Sequence, residues 1–480
     1  MQLSRTTIAL VAVALLYPIA ICAIFYPTPF SDLREQINWG LNFPFYTWKH
    51  PPMQSWVAGL VALTGARDAW GYTIVGQAIN LLGLYYLIRA AHEFIAPDAA
   101  LKAVILVAGS IFFIAAVPTF LLNADQLLFP LWAGVLYYAL AALLRDRWRD
   151  WLLLGVFAGL ALLTKYFTLL LIASLLVSAL WHADFRKHFL SPKLYVSGVV
   201  CATIAATNAI PMLLHPELLR YPLSFMRRAA SIFDRSFSLL TLAWSLVLYL
   251  LPAGIVLAVL AYRREGVTVV EPQSPGPRFI TTAAVVFVIL TAAVVVGTGI
   301  PYSQRYSHPI FAVSVLAVLS TVSIPIEARE RCAHVALVLW GFVILGSVGY
   351  AFTFVNASLI EPAPAAAEIL RARWAKHYSC GPAYITGENR PAYAVALYYG
   401  KVIGLSRNDF DFVQWIDRDL LQRHGAIVIG TTQSAADMVF AGEFPNRTPT
   451  ETITLPYRRS WSSQRHSYNY YFVPPRNCAR

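Results

Sequence analysis

Charged residues are scarce: Asp, Glu, Lys and Arg make up only 13% of the 480 residues, about half the ~25% of an ordinary soluble domain. With apolar types at 58%, a soluble globular fold is excluded, since too little charge is available to cover its surface. Carboxylates are the scarcer sign, 25 Asp and Glu against 37 Lys and Arg, for a formal net charge of +12. No basic aromatic platform accompanies that excess, so nucleic acid is not the expected partner. Cysteine is sparse as well, five in all, with no CxxC or His/Cys cluster at structural-zinc spacing. The first apolar run, 7–26, has no small-x-small cleavage site after it and reads as a retained span rather than a signal peptide.

Long apolar runs are abundant. They lie near 7–26, 72–94, 102–121, 126–144, 151–164, 167–182, 194–214, 237–262, 279–299, 310–325 and 333–355, most of them near the ~20 residues that a helix needs to cross about 30 Å of hydrocarbon. The expected fold is an all-α polytopic membrane protein of about eleven transmembrane helices. Within 151–182 a single residue, Lys165, divides the run into two short helices. The stretch 52–65 is too short to cross and reads as an interfacial helix.

Basic residues orient these spans. Arg145, Arg147 and Arg149, then Arg186, Lys187 and Lys193, then Arg263, Arg264 and Arg278, then Arg329 and Arg331 all fall on one side if the N-terminus is cytoplasmic, as the positive-inside rule requires. The first loop, 27–71, then faces outward, together with 123–126, Lys165, 215–236, 301–309 and everything after about 356. The outer loop at 215–236 breaks the rule with Arg220, Arg227, Arg228 and Arg235, which serve either an anionic ligand or lipid headgroup phosphates.

After 356 the composition changes. "APAPAAAEILRARW" leads into an amphipathic helix, and "GPAYITG", "AVALYYG" and "GAIVIGTT" read as strand-like runs bounded by glycine. A small C-terminal α/β extracytoplasmic domain over 356–480 follows. Cys380 and Cys478 bracket it, and an oxidising compartment permits them to pair, although spacing alone leaves the geometry open.

Ionisable groups are costly at a membrane, so their gathering on one face is informative. Asp32, Glu35, Lys49, His50, Asp125, Lys165, the arginines of 220–235 and Arg305 all fall on the outer side. Asp32 is either a general base with a perturbed pKa or a helix-start residue in "SDLREQINW". Lys49 and His50, held by "KHPP", are phosphate contacts or interface anchors. Asp125 is a site carboxylate or an N-cap. Lys165 suits a phosphate, and the Arg305 guanidinium suits it better.

The order of these residues resembles a known family: an outer-loop Asp after the first span, "KHPPMQSW", the block "NADQLLFPLWAGVLYYALAALLRDRWRDWLLLGVFAGLALLTKYF", and "RYSHPIFAVSVLAVL". They are similar to the polyprenyl-phosphate-sugar-dependent GT-C glycosyltransferases, specifically bacterial members related to protein O-mannosyltransferases and the lipid A aminoarabinose transferase (glycosyltransferase families 39 and 83). The likeness covers roughly 5–355, which becomes the catalytic module. It implies transfer of a sugar, with inversion, from a polyprenyl-phosphate-linked donor to an envelope glycolipid or other glycan on the periplasmic face of a bacterial inner membrane. Carried over, the family's loop Asp is Asp32, the base. Its usual acidic neighbour is replaced by Leu33, with Glu35 one turn on as support. The lysine before the proline pair becomes His50, preceded by Lys49. Asp125, Lys165 and Arg305 match directly, with Tyr306 beside Arg305 as a supporting residue, and Arg227 and Arg228 complete the pool of phosphate-binding cations. The resemblance fixes no cofactor: a divalent cation stays open, and Leu33 and His50 weaken the case for a metal site there.

Two other classes compete: a lipid or sugar transporter or flippase, and an assembly protein whose business lies after residue 356. Transporters carry internal repeats and mid-membrane charges, neither of which this sequence has. Removing 360–480 is expected to separate the classes, leaving an enzyme with its membrane core and its carrier lipid.

Overall fold

The computed structural model describes residues 5–93, 122–219, 223, 230–263, 266–271, 274–303, 310–353, 357–406, 409, 416–431, 446–458, 463–476 and 478. The helices in chain order are α1 Arg5–Ile24, α2 Ser31–Gly40, α3 Met53–Leu63, α4 Ala69–His92, α5 Ala124–Arg145, α6 Trp148–Leu162, α7 Thr168–Trp181, α8 Pro192–Leu214, α9 Ile232–Tyr262, α10 Pro275–Thr298, α11 Ile310–Thr321 and α12 Arg329–Thr353. Ten of the eleven apolar runs are thus helical, and the eleventh, 102–121, lies outside the described residues. Among the described residues, six helices (α4, α5, α8, α9, α10 and α12) are long and apolar enough to cross a membrane, and a seventh span is available if α7 is joined to 183–190 across a bend of 107°. The break between α6 and α7 falls around Lys165, and the short apolar 52–65 stretch forms α3, both where the sequence indicated.

The bundle is built around α5. Asn123 caps it, its side chain accepting from the Gln126 backbone N–H at 2.8 Å, and the helix ends where Asp146 turns left-handed at φ 49°. Of its best apolar window 94% is buried, because neighbours surround it and lipid does not reach it. On the α4 side a Cβ at Gly83 would lie 2.2 Å from the Phe129 ring, so only a bare backbone allows these helices their approach. With 22 residues, α5 is about 33 Å long. Its first turn carries Asp125, and its far end meets a basic turn in which Lys193 pairs with Asp146 at 2.9 Å.

Beyond the bundle, α13 Ala363–His377, α14 Asn389–Tyr399 and α15 Arg418–His424 accompany a five-stranded sheet of β3 Tyr384–Gly387, β4 Ile403–Ser406, β5 Ala426–Gly430, β6 Glu451–Pro456 and β7 Arg465–Val473. A two-residue antiparallel pair, β1 Thr268–Val269 and β2 Val322–Ser323, lies earlier in the chain. The sheet order is β4-β3-β5-β7-β6, with β3 parallel to β4 and β5, and β7 antiparallel to β5 and β6. Crossovers through helices explain the parallel part.

One expectation fails here. The run 394–400, read as strand-like, is the C-terminal half of α14 followed by its cap residue Gly400. Ala392, Val395, Ala396 and Tyr399 are buried at i, i+3, i+4 and i+7, a helical period that the short apolar run concealed. Cys380 and Cys478 are disulfide-bonded, with Cα atoms 5.7 Å apart.

Candidate active site

The site is assembled on α2, whose ten residues serve two neighbours. Asp32 and Glu35, one turn apart, share one face. Arg34 and Asn38, four apart, share another. Phe30 occupies the N-cap position and makes no side-chain cap, so capping is not the role of Asp32. Its place in the first turn still suits a negative charge. Close packing against α3 fixes the height of α2: a Cβ on Gly59 would meet the Gly40 carbonyl oxygen at 2.3 Å. The Ser55 hydroxyl donates to Gln36 Oε1 alongside.

Between these helices the chain from 41 to 52 is held at several points. Asn208 Nδ2 donates to the Phe45 carbonyl at 3.0 Å, and Trp56 Nε1 donates to the Pro44 carbonyl at 2.7 Å. Thr47 and His50 close a turn, the His50 backbone N–H donating to Thr47 Oγ1 at 3.1 Å and the Thr47 hydroxyl to the His50 carbonyl at 2.6 Å. Lys49, so presented, sets its ammonium 2.9 Å from Glu35 Oε2 and 3.3 Å from Asp32 Oδ1. Asp32 is the accessible member of this trio, 39% exposed against 5% for Glu35.

Burial raises the Glu35 pKa to about 7, with Lys49 pulling the other way and Asp409 and Asp32 adding to the rise. His50 is held well below the ordinary imidazole range, first by burial and then by the charges of Lys49 and Lys165. It is therefore a neutral imidazole near pH 7, offering a hydrogen bond rather than the positive charge expected of it.

A second pair stands beside the first. Lys165, in the break after α6, pairs with Asp125 Oδ1. Since Asn123 caps α5, the Asp125 carboxylate serves the ion pair instead. The Met53 backbone N–H donates to the Leu163 carbonyl at 3.1 Å, which docks the "KHPP" segment on the turn that carries Lys165. Asp32, Glu35, Lys49, His50, Asp125 and Lys165 thus gather at one end of α5, with His50 within the influence of both lysines. Arg220, Arg227, Arg228, Arg305, Tyr306 and His308 lie outside the described residues.

Two carboxylates on one helix face invite a divalent cation. Here, however, the Lys49 ammonium bridges Asp32 and Glu35, and a metal would have to displace a like charge, so the trio does not fit one. The metal-like cluster among the described residues is Cys380, His424 and Cys478, and its two cysteines are bonded to each other.

Sequence reasoning missed the docking of α2 on the C-terminal sheet domain. Arg34, fully buried, pairs with Glu361 and donates to the Ser358 carbonyl at 2.6 Å and the Arg390 carbonyl at 3.2 Å. Asn38 Oδ1 accepts from the Gly404 backbone N–H at 2.7 Å. Nearby, Arg458 and Tyr398 bind Asp68 ahead of α4, at 3.1 and 2.8 Å. Removing 360–480 would strip Arg34 of Glu361 and Arg390, and Asn38 of Gly404, so that truncation is not the clean discriminator expected from the sequence. No local pattern marks these residues, which sit more than 300 positions from their partners.

The chain is thus a polytopic helical bundle, with carboxylates and lysines at one end of its central helix and a small sheet domain packed on the loop that carries them. The whole chain superimposes on ArnT from Cupriavidus metallidurans in the apo state, with a TM-score of 0.59, 14% identity, and 96% of this chain and 97% of that chain covered. By sequence, residues 49–210 match the family model described as dolichyl-phosphate-mannose-protein mannosyltransferase, a stretch that includes Lys49, His50, Asp125 and Lys165 and leaves out Asp32. No curated protein matches the sequence. The resemblance drawn from the motifs is borne out by both findings.

Proposed function

We propose that this protein is a membrane glycosyltransferase that moves a sugar from a polyprenyl-phosphate carrier to a hydroxyl of an envelope glycolipid or glycan, with inversion. The observation that carries this reading is the trio of Asp32, Glu35 and Lys49, with one accessible carboxylate beside an ammonium. In the proposed step Asp32 takes the proton of the acceptor hydroxyl as that oxygen attacks the anomeric carbon. The bond from that carbon to the phosphate oxygen breaks, and its electron pair leaves with the polyprenyl phosphate. Lys49, Lys165 and an N–H of His50 face the growing negative charge, with Arg227, Arg228 and Arg305 as the remaining cations. Asp125 holds Lys165 in place. A single displacement inverts the centre and requires no covalent enzyme intermediate.

The basic turns at the far end of α5 support an orientation with the N-terminus in the cytoplasm and the site on the periplasmic side. Residues 1–355 then form the catalytic module, and the domain from 356 onward is periplasmic, where a disulfide persists. Mass spectrometry of envelope lipids and glycans from cells with and without the protein tests the reading. One sugar residue is expected to be missing without it; identical profiles would refute the assignment.

A further inference from the structure

Asp409 is fully buried and belongs to the sheet domain, yet two of its hydrogen bonds reach into the candidate active site. Its Oδ1 accepts the indole N–H of Trp39 and that of Trp48, each at 3.0 Å. Its Oδ2 accepts from the Tyr393 hydroxyl at 2.6 Å, the Ser406 backbone N–H at 2.7 Å and the Ser406 hydroxyl at 3.1 Å. Each oxygen accepts from at least one N–H, the two indoles at Oδ1 and the Ser406 backbone at Oδ2, so a side-chain amide would set its NH2 against a donor on either side. Among the described residues it has no cationic partner. A carboxylate buried on neutral donors alone is a demanding arrangement for packing.

The two indoles belong to the two halves of the site. Trp48 directly precedes Lys49, and Trp39 lies four residues after Glu35 on α2. Their rings meet edge to face at 5.9 Å, on Met212 and Leu218. Both partners of the 2.9 Å contact between Lys49 and Glu35 are therefore referenced to one carboxylate of another domain. We propose that Asp409 is a positioning residue of this site, acting through Trp39 and Trp48 to fix where the Lys49 ammonium meets a lipid phosphate. This rests on the transferase reading above.

The full-length protein in nanodiscs tests it with a sugar-free, long-chain polyprenyl phosphate as ligand. Asp409→Asn and Trp48→Phe should each weaken binding about tenfold, as misplacement of a binding group does. Combined with Lys49→Gln, either should add less than twofold to the loss of that variant, since residues acting through one group are non-additive. Unchanged affinity in Asp409→Asn, or full additivity, overturns the proposal. Trp48→Phe keeps a six-membered aromatic ring and removes the N–H with the rest of the five-membered ring, breaking the Asp409 contact without burying a new polar group, so it decides the matter if Asp409→Asn does not fold. If Lys49→Gln itself leaves affinity unchanged, the phosphate role of Lys49 is wrong, and positioning is decided without ligand. Acylation of Lys49, followed by mass spectrometry, should then be several-fold faster in Trp48→Phe with Lys165 unaltered; equal rates at Lys49 refute positioning.

Discussion

Arg34 offers the sharpest test of how the sheet domain holds α2. Its side chain and that of Glu361 are 0% and 2% exposed, and Glu361 also accepts from the Tyr468 hydroxyl at 3.1 Å. Arg34→Met leaves the Glu361 carboxylate buried without its guanidinium, a change that costs about 3–5 kcal/mol. Adding Glu361→Gln removes the stranded charge and should restore most of that loss. At about 1.4 kcal/mol per tenfold, the single substitution raises the population in which the two parts separate by roughly 100-fold or more. Limited proteolysis of the full chain in detergent reads this population when cleavage is slower than reclosing. Cleavage within 357–362 should accelerate by about two orders of magnitude in Arg34→Met and fall back to within about tenfold of the parent in the double variant. A single variant cut no faster than the parent, or a double variant cut as fast as the single, would refute the reasoning.

Two further outcomes follow from the site. Neutral Glu35 contributes stability that is present below about pH 4.5 and is lost as pH rises through about 7. Glu35→Gln cannot ionise, so its melting temperature should gain on that of the parent between pH 5 and 8, and a difference that does not change with pH would contradict the raised pKa. Gly59→Ala drives a methyl into the Gly40 backbone and should destabilise the protein by about 1–3 kcal/mol through separation of α2 and α3; an unchanged melting temperature would show that the helices can part freely.

Much of the membrane part was legible because lipid imposes length and apolarity on every span. The break at Lys165, the short α3 and the clustering of Asp32, Lys49, Asp125 and Lys165 could all be read from runs and interruptions. The electrostatics could not. His50 looks like a cation in "KHPP", but burial, and after it the charges of Lys49 and Lys165, make it neutral. Arg34 looks like one more charge in "SDLREQ", yet it is buried against residues 324 to 356 positions away. Asp409 gives no local sign of meeting Trp39 and Trp48. The strand-like reading of 394–400 failed because six apolar residues before a glycine fit both periods, and length and β-branching were the only arbiters.

The central claim is that Asp32 deprotonates an acceptor hydroxyl beside the Lys49 ammonium. Asp32→Asn keeps the shape of the side chain and removes its basicity. Purified into nanodiscs, that variant should bind polyprenyl phosphate about as well as the parent and release none of it from a sugar-charged carrier when envelope acceptor is supplied. Release at a rate close to that of the parent would contradict the account.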